Sequence, residues 1–437
     1  MRHTDDEESE SMSMNQLFHR FPTLLSLWCM LSAFGTYACM YGFRKPFTAA
    51  TFEGTVHGDQ LKLWLVSAQI AGYMLSKLIG IKVVSEMTRE RRAFTLIGLI
   101  AVSELALVFF AITPAPYNAV WMFTNGLPLG MIFGIVLGFL EGRKMSEVFI
   151  AVLCASFILA DGFTKSVGTW LLDCGISDFW MPATAGGIFF FPLLLFVVML
   201  GSVPPPTAVD CEHRNERHPM TGKERKIMLL KYAPLLGGIT LTYLLVTVMR
   251  SMRADFAPEI WKNLGVHVDK GIFTRSELYV GIVVTSLAVP LSLIRNNRTA
   301  MLFSLGLCLI GLICCLCSFA LFHNNDLSPF AFMVMLGIGM YVPYVMVHTS
   351  IFERFVAYTK ERGNIGFLMS VADSAGYIGY CALLMLKEPL RKFAEEANHG
   401  QKFLDFFTTI SITVLSFATI FMMLSLIAAL RIKPIKS

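Results

Sequence analysis

The stretch YGFRKPF, residues 41–47, ends the first long apolar segment of the chain and places two adjacent cations there. About twenty almost uncharged residues precede Arg44 and Lys45, and a run of that length crosses a bilayer as a single helix. A cation within such a segment is costly, so it usually faces a protein interior or a water-filled cavity and has a function. Alternatively, both cations could anchor a helix end at the lipid headgroups, which their long side chains can reach.

The composition of the whole chain is that of a membrane protein. Of its 437 residues, 55% are hydrophobic and only 15% are charged, which is too apolar for a soluble protein of this length. Twelve segments have the length and apolarity of a transmembrane helix, and none alternates like the strands of a barrel. Their centres are Ala33, Gly72, Ile100, Gly130, Leu159, Phe190, Leu241, Val284, Ile310, Gly337, Ala375 and Ser416. The sequence therefore predicts an all-α integral membrane protein with twelve transmembrane helices.

The basic residues predict the orientation of the chain in the membrane. The net charge of +5 arises mainly from Lys and Arg in alternate loops, not from one basic face, so we expect no nucleic-acid partner. These loops are 82–92, 143–144, 214–226, 295–298 and 354–362. Positive residues mark the cytoplasmic side, so we predict a protein of the plasma (inner) membrane with both termini in the cytoplasm. Basic residues in the loops 262–275 and 387–392 weaken this pattern without reversing it.

One long polar stretch divides the twelve segments into two halves of six. It begins with three prolines at 204–206 and continues with charged residues, a composition typical of an irregular linker. We predict a cytoplasmic tail at 1–21, six-helix bundles at 22–203 and 227–432, a cytoplasmic linker at 204–226 and a second tail at 433–437. Two such bundles form the major facilitator fold, in which the solute binds between the halves near the midplane.

Charged residues also occur inside the predicted helices. Asp161 and Lys165 are four residues apart in segment five, so they share a helix face and can pair. Other candidates are Lys77 in segment two, Arg250 in segment seven, His348 in segment ten and Asp373 in segment eleven. Each has a structural alternative: a snorkelling lysine, a structural ion pair, a packing histidine or a helix-capping aspartate. Together they favour a cavity between the halves, because independent snorkelling does not require basic residues in the first, second, fifth and seventh helices.

Four stretches resemble the organophosphate:phosphate antiporter family of the major facilitator superfamily, whose best-known members are bacterial glycerol-3-phosphate and hexose-phosphate transporters. They are YGFRKPF at 41–47, SKLIG and VSE at 76–86, VMR and DFAP at 248–258, and GMYVP at 339–343. In that family the matching arginines of the first and seventh helices bind phosphate, one from each half. The resemblance implies that Arg44 and Arg250 have this role, with Arg44 in a central cavity and the first helix continuing towards Phe52.

This role suits the chemistry of arginine. A guanidinium group stays charged at any working pH and can donate two parallel hydrogen bonds to phosphate oxygens, while Lys45 and Lys77 would add positive charge. The chain departs from the family pattern at three places. Pro46 replaces an Asn and disfavours helical geometry at Lys45, so we expect a kink. Asp161, with Lys165 one turn later, lies near the position of the family's fifth-helix histidine, and Glu86 replaces a loop Asp.

We therefore predict a secondary active transporter that moves a small anionic, phosphorylated metabolite by alternating access, in exchange for inorganic phosphate. The predicted substrate-binding residues are Arg44, Lys45, Lys77, Asp161, Lys165, Arg250, Tyr341 and Asp373. The expected partners are this anionic solute and the lipid bilayer, and the protein is predicted to be a monomer. We expect no cofactor and no metal, because no Cys/His spacing fits zinc, and no enzymatic activity, because no nucleophile elbow or phosphate-binding loop occurs.

Two other functions remain open. Asp161 and Asp373 would be surplus carboxylates in an anion site, which suits proton coupling or a substrate that carries an amine as well as an acid. The family also contains members that bind a sugar phosphate and signal to a partner, so the protein could be a transporter-like sensor.

Overall fold

The computed structural model describes residues 18, 20–52, 58–140, 143, 145–205, 222–267, 269, 271–359, 365–398 and 403–432. These residues are helical almost throughout and contain no strand. The predicted linker at 204–226 and the predicted tails at 1–21 and 433–437 lie largely outside the described residues.

Twelve long helices, α1 to α12, make up the described structure. In the N-terminal half they are α1 (Pro22–Tyr41), α2 (Gly58–Glu86), α3 (Arg89–Ile112), α4 (Ala119–Leu140), α5 (Ser146–Asp173) and α6 (Met181–Gly201). In the C-terminal half they are α7 (Ala233–Asp255), α8 (Ile272–Leu293), α9 (Asn297–His323), α10 (Pro329–Thr359), α11 (Ile365–Asn398) and α12 (Phe403–Arg431). Two short helices (Gly222–Lys231 and Ala257–Asn263) precede and follow α7.

The predicted fold class is confirmed, because each predicted segment centre lies in one of these helices. Within the described ranges, 11 helices are long and apolar enough to cross a membrane, and α11 contains the shorter apolar stretch Val371–Leu386. Helices suit these segments because lipid offers no partner for a free backbone N–H or C=O group. The protein is an integral membrane protein.

Prolines and polar caps set several helix boundaries. α10 begins at Pro329, where a missing backbone N–H costs nothing, and the Ser328 hydroxyl accepts a hydrogen bond from the backbone of Ala331 at 3.2 Å. Further along α10, Pro343 removes a helical donor, and the helix widens into a π-helical turn at Val347–Ile351.

The first transmembrane segment is broken, which differs from the expectation of a helix that continues towards Phe52. α1 stops at Tyr41, residues 42–45 form turns, and Pro46–Ala49 form a single 3₁₀ turn. The kink expected at Pro46 is thus present as a break. Lys45 nevertheless keeps right-handed helical angles (φ −106°, ψ −25°) and is not extended. The regular hydrogen bonding ends before Pro46, because the N–H groups of residues 42–44 bond three residues back instead of four.

The two halves meet along two pairs of helices. Within the halves, the closest pairs include α2 with α4 and α7 with α12; between them, α5 packs against α8 and α2 against α11. Gly162 of α5 allows this approach, because a Cβ atom there would lie 2.4 Å from the carbonyl oxygen of Phe273 in α8. Since successive helices reverse direction, α1 begins and α12 ends at one face of the molecule, here called the terminal face; the other is the opposite face.

Candidate functional site

The predicted site residues come together in one buried region between the halves. Seven of the eight are buried and Lys77 is partly buried; Arg44 and Lys45 are only 4% and 5% exposed. Neither Arg44 nor Lys45 reaches the surface, so the interpretation of both as headgroup anchors is wrong. The region lies midway along α2, α4 and α10, at the level of Tyr73, Asn125 and Tyr344.

Arg44 and Arg250 are covered by tyrosine rings instead of carboxylates. The guanidinium carbon of Arg44 lies 3.9 Å from the ring centre of Tyr73, and that of Arg250 lies 4.4 Å from the ring centre of Tyr344. The Nε atoms of both arginines are buried without a hydrogen-bond partner among the described residues. The covering rings, Tyr73 of the N-terminal half and Tyr344 of the C-terminal half, line the same small cavity, so the two arginines approach one space from the two halves.

The other buried cations of this region all have a carboxylate partner. Lys165 contacts Asp161 at 2.5 Å, which confirms the predicted pair. Lys45 of the first segment bonds to Asp255 at the end of α7 and also lies 3.4 Å from Asp161. Lys77 of α2 bonds to Asp373 of α11, and Arg253 of α7 contacts Glu277 of α8 at 2.8 Å. Lys62, nearer the opposite face, contacts Glu259 at 2.5 Å.

These pairs determine the net charge of the region. Asp161, Asp255, Asp373 and Glu277 balance Lys45, Lys77, Lys165 and Arg253 among the residues that the structure describes. Arg44 and Arg250 are left with two uncompensated positive charges. The expectation that Asp161 and Asp373 are surplus carboxylates is therefore wrong, because each one neutralises a lysine.

A hydrogen-bond network holds the break after α1 and thereby positions Arg44. The break leaves backbone carbonyl groups without helical donors. The Gln69 side chain donates to the carbonyl oxygen of Arg44 (3.1 Å), and the Asn125 side chain donates to that of Phe43 (3.1 Å). Gln69 also donates to Asn125 (2.7 Å), which donates in turn to the Ser103 hydroxyl (2.7 Å). Arg250 needs no such support, because it lies within the continuous helix α7.

A cluster of aromatic side chains fills the space around the arginines. A small cavity, with room for about one water molecule, is lined by Tyr37, Tyr41, Tyr73, Lys77, Phe133, Phe157, Tyr344, His348, Asp373 and Tyr377. The rings of Tyr73 and Tyr377 lie 4.9 Å apart and connect α2 to α11 across the halves. The ring centre of Tyr341, the remaining predicted residue, lies 5.5 Å from the guanidinium carbon of Arg250. The Tyr341 hydroxyl has no hydrogen-bond partner among the described residues. A solute can enter only if these rings and helices move.

Asp373 is the centre of a second polar cluster on the terminal-face side of the arginines. Besides the bond from Lys77, its carboxylate accepts a hydrogen bond from the Tyr243 hydroxyl and lies 3.5 Å from Nε2 of His348. Asp373 thus makes a bridge between the halves, and the alternative of a helix cap is wrong. His348 packs against aromatic rings, as the structural alternative expected, but it also faces this carboxylate.

Sequence reasoning missed the positioning network and most of the tyrosines. Gln69 and Asn125 are amides in apolar segments, a signal that was available, since buried polar side chains in membrane helices usually bond to a neighbouring helix. Tyr37 and Tyr41, or Tyr341 and Tyr344, have the spacing of one helix face. Asp255 and Glu277 were not predicted as partners either, because their lysine and arginine partners lie on other segments.

Solved structures of similar fold include a symporter and two homologues of transporters. A proton:xylose symporter of the major facilitator superfamily matches with a TM-score of 0.56 and 12% identity, over 93% of this chain and 96% of that one. A bacterial homologue of the iron transporter ferroportin, outward-facing, has a TM-score of 0.56 and 14% identity, over 91% and 98% of the two chains. A bacterial homologue of the human lysosomal transporter Spinster, inward-facing, has a TM-score of 0.55 and 12% identity, over 93% and 96%. This likeness shows the major facilitator fold.

The sequence itself is matched by one family model. No curated protein matches it. The matching family, DUF5690, is described as a family of unknown function, and the match covers residues 46–430. Since this is most of the chain, the protein belongs to the DUF5690 family.

Proposed function

We propose that the protein is a secondary active transporter that exchanges a small phosphorylated metabolite for inorganic phosphate by alternating access. The observation that carries the proposal is the pair of uncompensated arginines, Arg44 and Arg250, which come to one buried space from the two halves. A major facilitator fold supports a transport function, and the arginines support an anionic solute.

The charge of the solute follows from the charge of the site. A buried cation without a counter-ion costs several kcal/mol, and a bound anion removes that cost. A phosphate monoester carries about −1.5 to −2 charges near neutral pH, which matches the two positive charges of Arg44 and Arg250. Each guanidinium can donate two parallel hydrogen bonds to phosphate oxygens. The tyrosine rings that cover both arginines would then contact the organic part of the solute.

The same charges favour exchange over one-way transport. In an empty carrier, Arg44 and Arg250 repel one another when the halves close around them. A bound anion removes this repulsion and permits the halves to close, so the carrier reorients mainly when it is loaded. Inorganic phosphate fulfils the same electrostatic requirement as a phosphate monoester, and it therefore serves as the counter-substrate on the return step.

Ion pairs between the halves lie on both sides of the arginines. Lys77 and Asp373 lie towards the terminal face, whereas Lys62 and Glu259 lie towards the opposite face. Alternating access requires that the pairs on one side separate while those on the other side hold. Both cations belong to the N-terminal half and both carboxylates to the C-terminal half, so a rocking of the halves can break either pair.

Counterflow with the purified protein tests the proposal. Proteoliposomes loaded with unlabelled phosphate would be given labelled phosphate outside, and a panel of phosphate monoesters, dicarboxylates, monocarboxylates and neutral sugars would compete for uptake. We expect exchange of phosphate and competition by phosphate monoesters, with little effect of neutral sugars. The proposed transport would be contradicted if the protein exchanged none of the anions. It would also be contradicted if the protein bound phosphate without exchanging it, and that result would indicate a sensor.

A further inference from the structure

The partners of Asp373 are divided unequally between the two halves. Tyr243 of α7 and His348 of α10 belong to the same half as Asp373, whereas Lys77 of α2 belongs to the other half. When the halves separate at the terminal face, Lys77 leaves with α2. The Asp373 carboxylate then keeps the Tyr243 hydroxyl and the His348 imidazole but loses its cationic partner.

The hydrogen bonds of His348 leave one nitrogen free to bind a proton. Its Nδ1 atom lies 3.0 Å from the carbonyl oxygen of Tyr344, and because that oxygen can only accept, Nδ1 carries the hydrogen. In neutral His348 the lone pair is therefore on Nε2, the atom that lies 3.5 Å from the Asp373 carboxylate. A proton on Nε2 would turn this nitrogen into a donor and a positive charge directed at Asp373.

We propose that His348 is a proton-binding site, and that a proton on His348 replaces Lys77 as the counter-charge of Asp373 when the terminal face opens. Opening of this face then takes up one proton at Nε2, and closing releases it. The proposal rests on the alternating-access movement of the proposed function but not on the identity of the solute. It gives the carrier a second ligand, the proton, whose site lies in the C-terminal half.

The backbone at His348 supports a functional role. His348 lies in the π-helical turn Val347–Ile351, and single π-turns inside α-helices occur frequently at functional sites. The same turn packs against α5 of the other half, so it lies on the surface along which the halves move. His348 also contacts the rings of Tyr243 in α7 and Tyr344 in α10, which belong to its own half and stay beside Asp373 when Lys77 leaves.

The direction of the pH effect follows from the groups around His348. The titratable and charged groups of this cluster are Tyr37, Tyr41, Tyr73, Lys77, Cys154, Tyr243, Tyr344, Asp373 and Tyr377. Histidine is the type of side chain that normally changes its charge between about pH 5 and 8. Because the open state binds the extra proton, acid should favour opening of the terminal face. One linked proton changes the ratio of open to closed molecules by at most about tenfold per pH unit.

Distance measurements at several pH values test this proposal without any solute. Spin labels on Glu90→Cys and Arg295→Cys, exposed positions near the terminal face on the two halves, would report its opening in the full-length protein in lipid nanodiscs. Cys174, Cys211, Cys314 and Cys317 would be replaced by Ser to prevent other labelling. We expect the long-distance population to increase several-fold per pH unit as the pH falls from 8.5 to 5.5.

Two substitutions identify the residue responsible. His348→Gln keeps a polar side chain of similar size but cannot take up the proton, so the distances should become independent of pH. His323→Gln, at an exposed position at the end of α9, is the matched control and should retain the wild-type response. Asp373→Asn should open the terminal face at every pH, because Lys77 loses its partner. A wild-type protein without pH response, or an unchanged response in His348→Gln, would overturn the proton site and leave the anion site untouched.

Discussion

Two groups of buried cations lie within the same region of this protein, and they differ in their partners. Lys45, Lys77, Lys165 and Arg253 each bond to a carboxylate. Arg44 and Arg250 lie against tyrosine rings, and no carboxylate of the described residues bonds to either one. The carboxylates of the first group offset the cost of burying its charges. Arg44 and Arg250 have no such carboxylate partner, which agrees with the proposal that an anionic solute binds them. The comparison therefore separates cations that connect helices from the two cations that we propose bind the solute.

A second comparison concerns how the two arginines are held. Arg250 is presented by the regular geometry of α7, while Arg44 follows a helix break that Gln69 and Asn125 support through hydrogen bonds. The same chemical group is thus placed by a continuous helix in one half and by a polar network in the other. The position of Arg44 should therefore depend more than that of Arg250 on substitutions elsewhere in the chain.

The largest expected effect is on the stability of the paired group. Asp161→Asn leaves Lys165 without a carboxylate and removes the second partner of Lys45. Loss of one partner of a buried pair costs about 3–5 kcal/mol, so the folded yield and the unfolding temperature should fall sharply. The double variant with Lys165→Met should recover part of the loss.

Asp269→Asn is the control for this prediction. Asp269 pairs with Arg275 at the surface, where their side chains are 51% and 60% exposed, and its loss should change stability little. If the effects of Asp161→Asn and Lys165→Met simply added, the two residues would not act as a pair.

A smaller effect is expected from the network that supports Arg44. Asn125→Leu leaves the carbonyl of Phe43 without its donor, at a cost of about 1–3 kcal/mol, and releases the backbone next to Arg44. We expect phosphate affinity, measured by isothermal titration calorimetry, to fall about tenfold. Asn118→Leu is the matched control, because Asn118 is equally buried but its side chain has no hydrogen-bond partner among the described residues. Equal losses in the two variants would show that the network does not position Arg44.

The smallest effect on stability is expected from Arg250. Arg250→Met removes a buried charge that has no carboxylate partner, so the unfolding temperature should stay at or above that of the wild type. Arg253→Met, three residues later on the same helix, instead strands the Glu277 carboxylate and should be strongly destabilising. The unfolding temperatures of both variants would be measured in the same detergent and compared with that of the wild type. A large loss of stability in Arg250→Met would mean that Arg250 belongs with the structural cations.

The sequence predicted the fold better than it predicted the partners within the site. Apolar runs of helical length locate all twelve helices, because a lipid environment leaves the backbone few alternatives. The charges at Arg44, Lys77, Asp161 and Arg250 were also recognisable, since each stands out in an apolar segment. The predicted cytoplasmic position of the termini and the resemblance to organophosphate antiporters stay predictions.

Pairing across the halves could not be read from spacing along the chain. Lys45 and Asp255 are brought together only when the break after α1 and the end of α7 approach each other in the folded protein. Asp161 and Lys165 were predictable because they lie one helical turn apart. Because the lysine partner of Asp373 lies on another segment, the sequence could not tell that Asp373 is neutralised. It also could not tell that Arg44 and Arg250 have no carboxylate partner among the described residues.

Phosphate binding by Arg44→Lys and Arg250→Lys tests the central claim most directly. Lysine keeps the positive charge but cannot donate two parallel hydrogen bonds to one phosphate group. A charge-assisted hydrogen bond contributes about 1.5–3 kcal/mol, so each variant should bind phosphate roughly tenfold or more weakly than the wild type. Arg298→Lys, an exposed position at the start of α9, should bind like the wild type. Wild-type affinity in both Arg44→Lys and Arg250→Lys, purified as folded protein, would contradict an anion site formed by the two arginines.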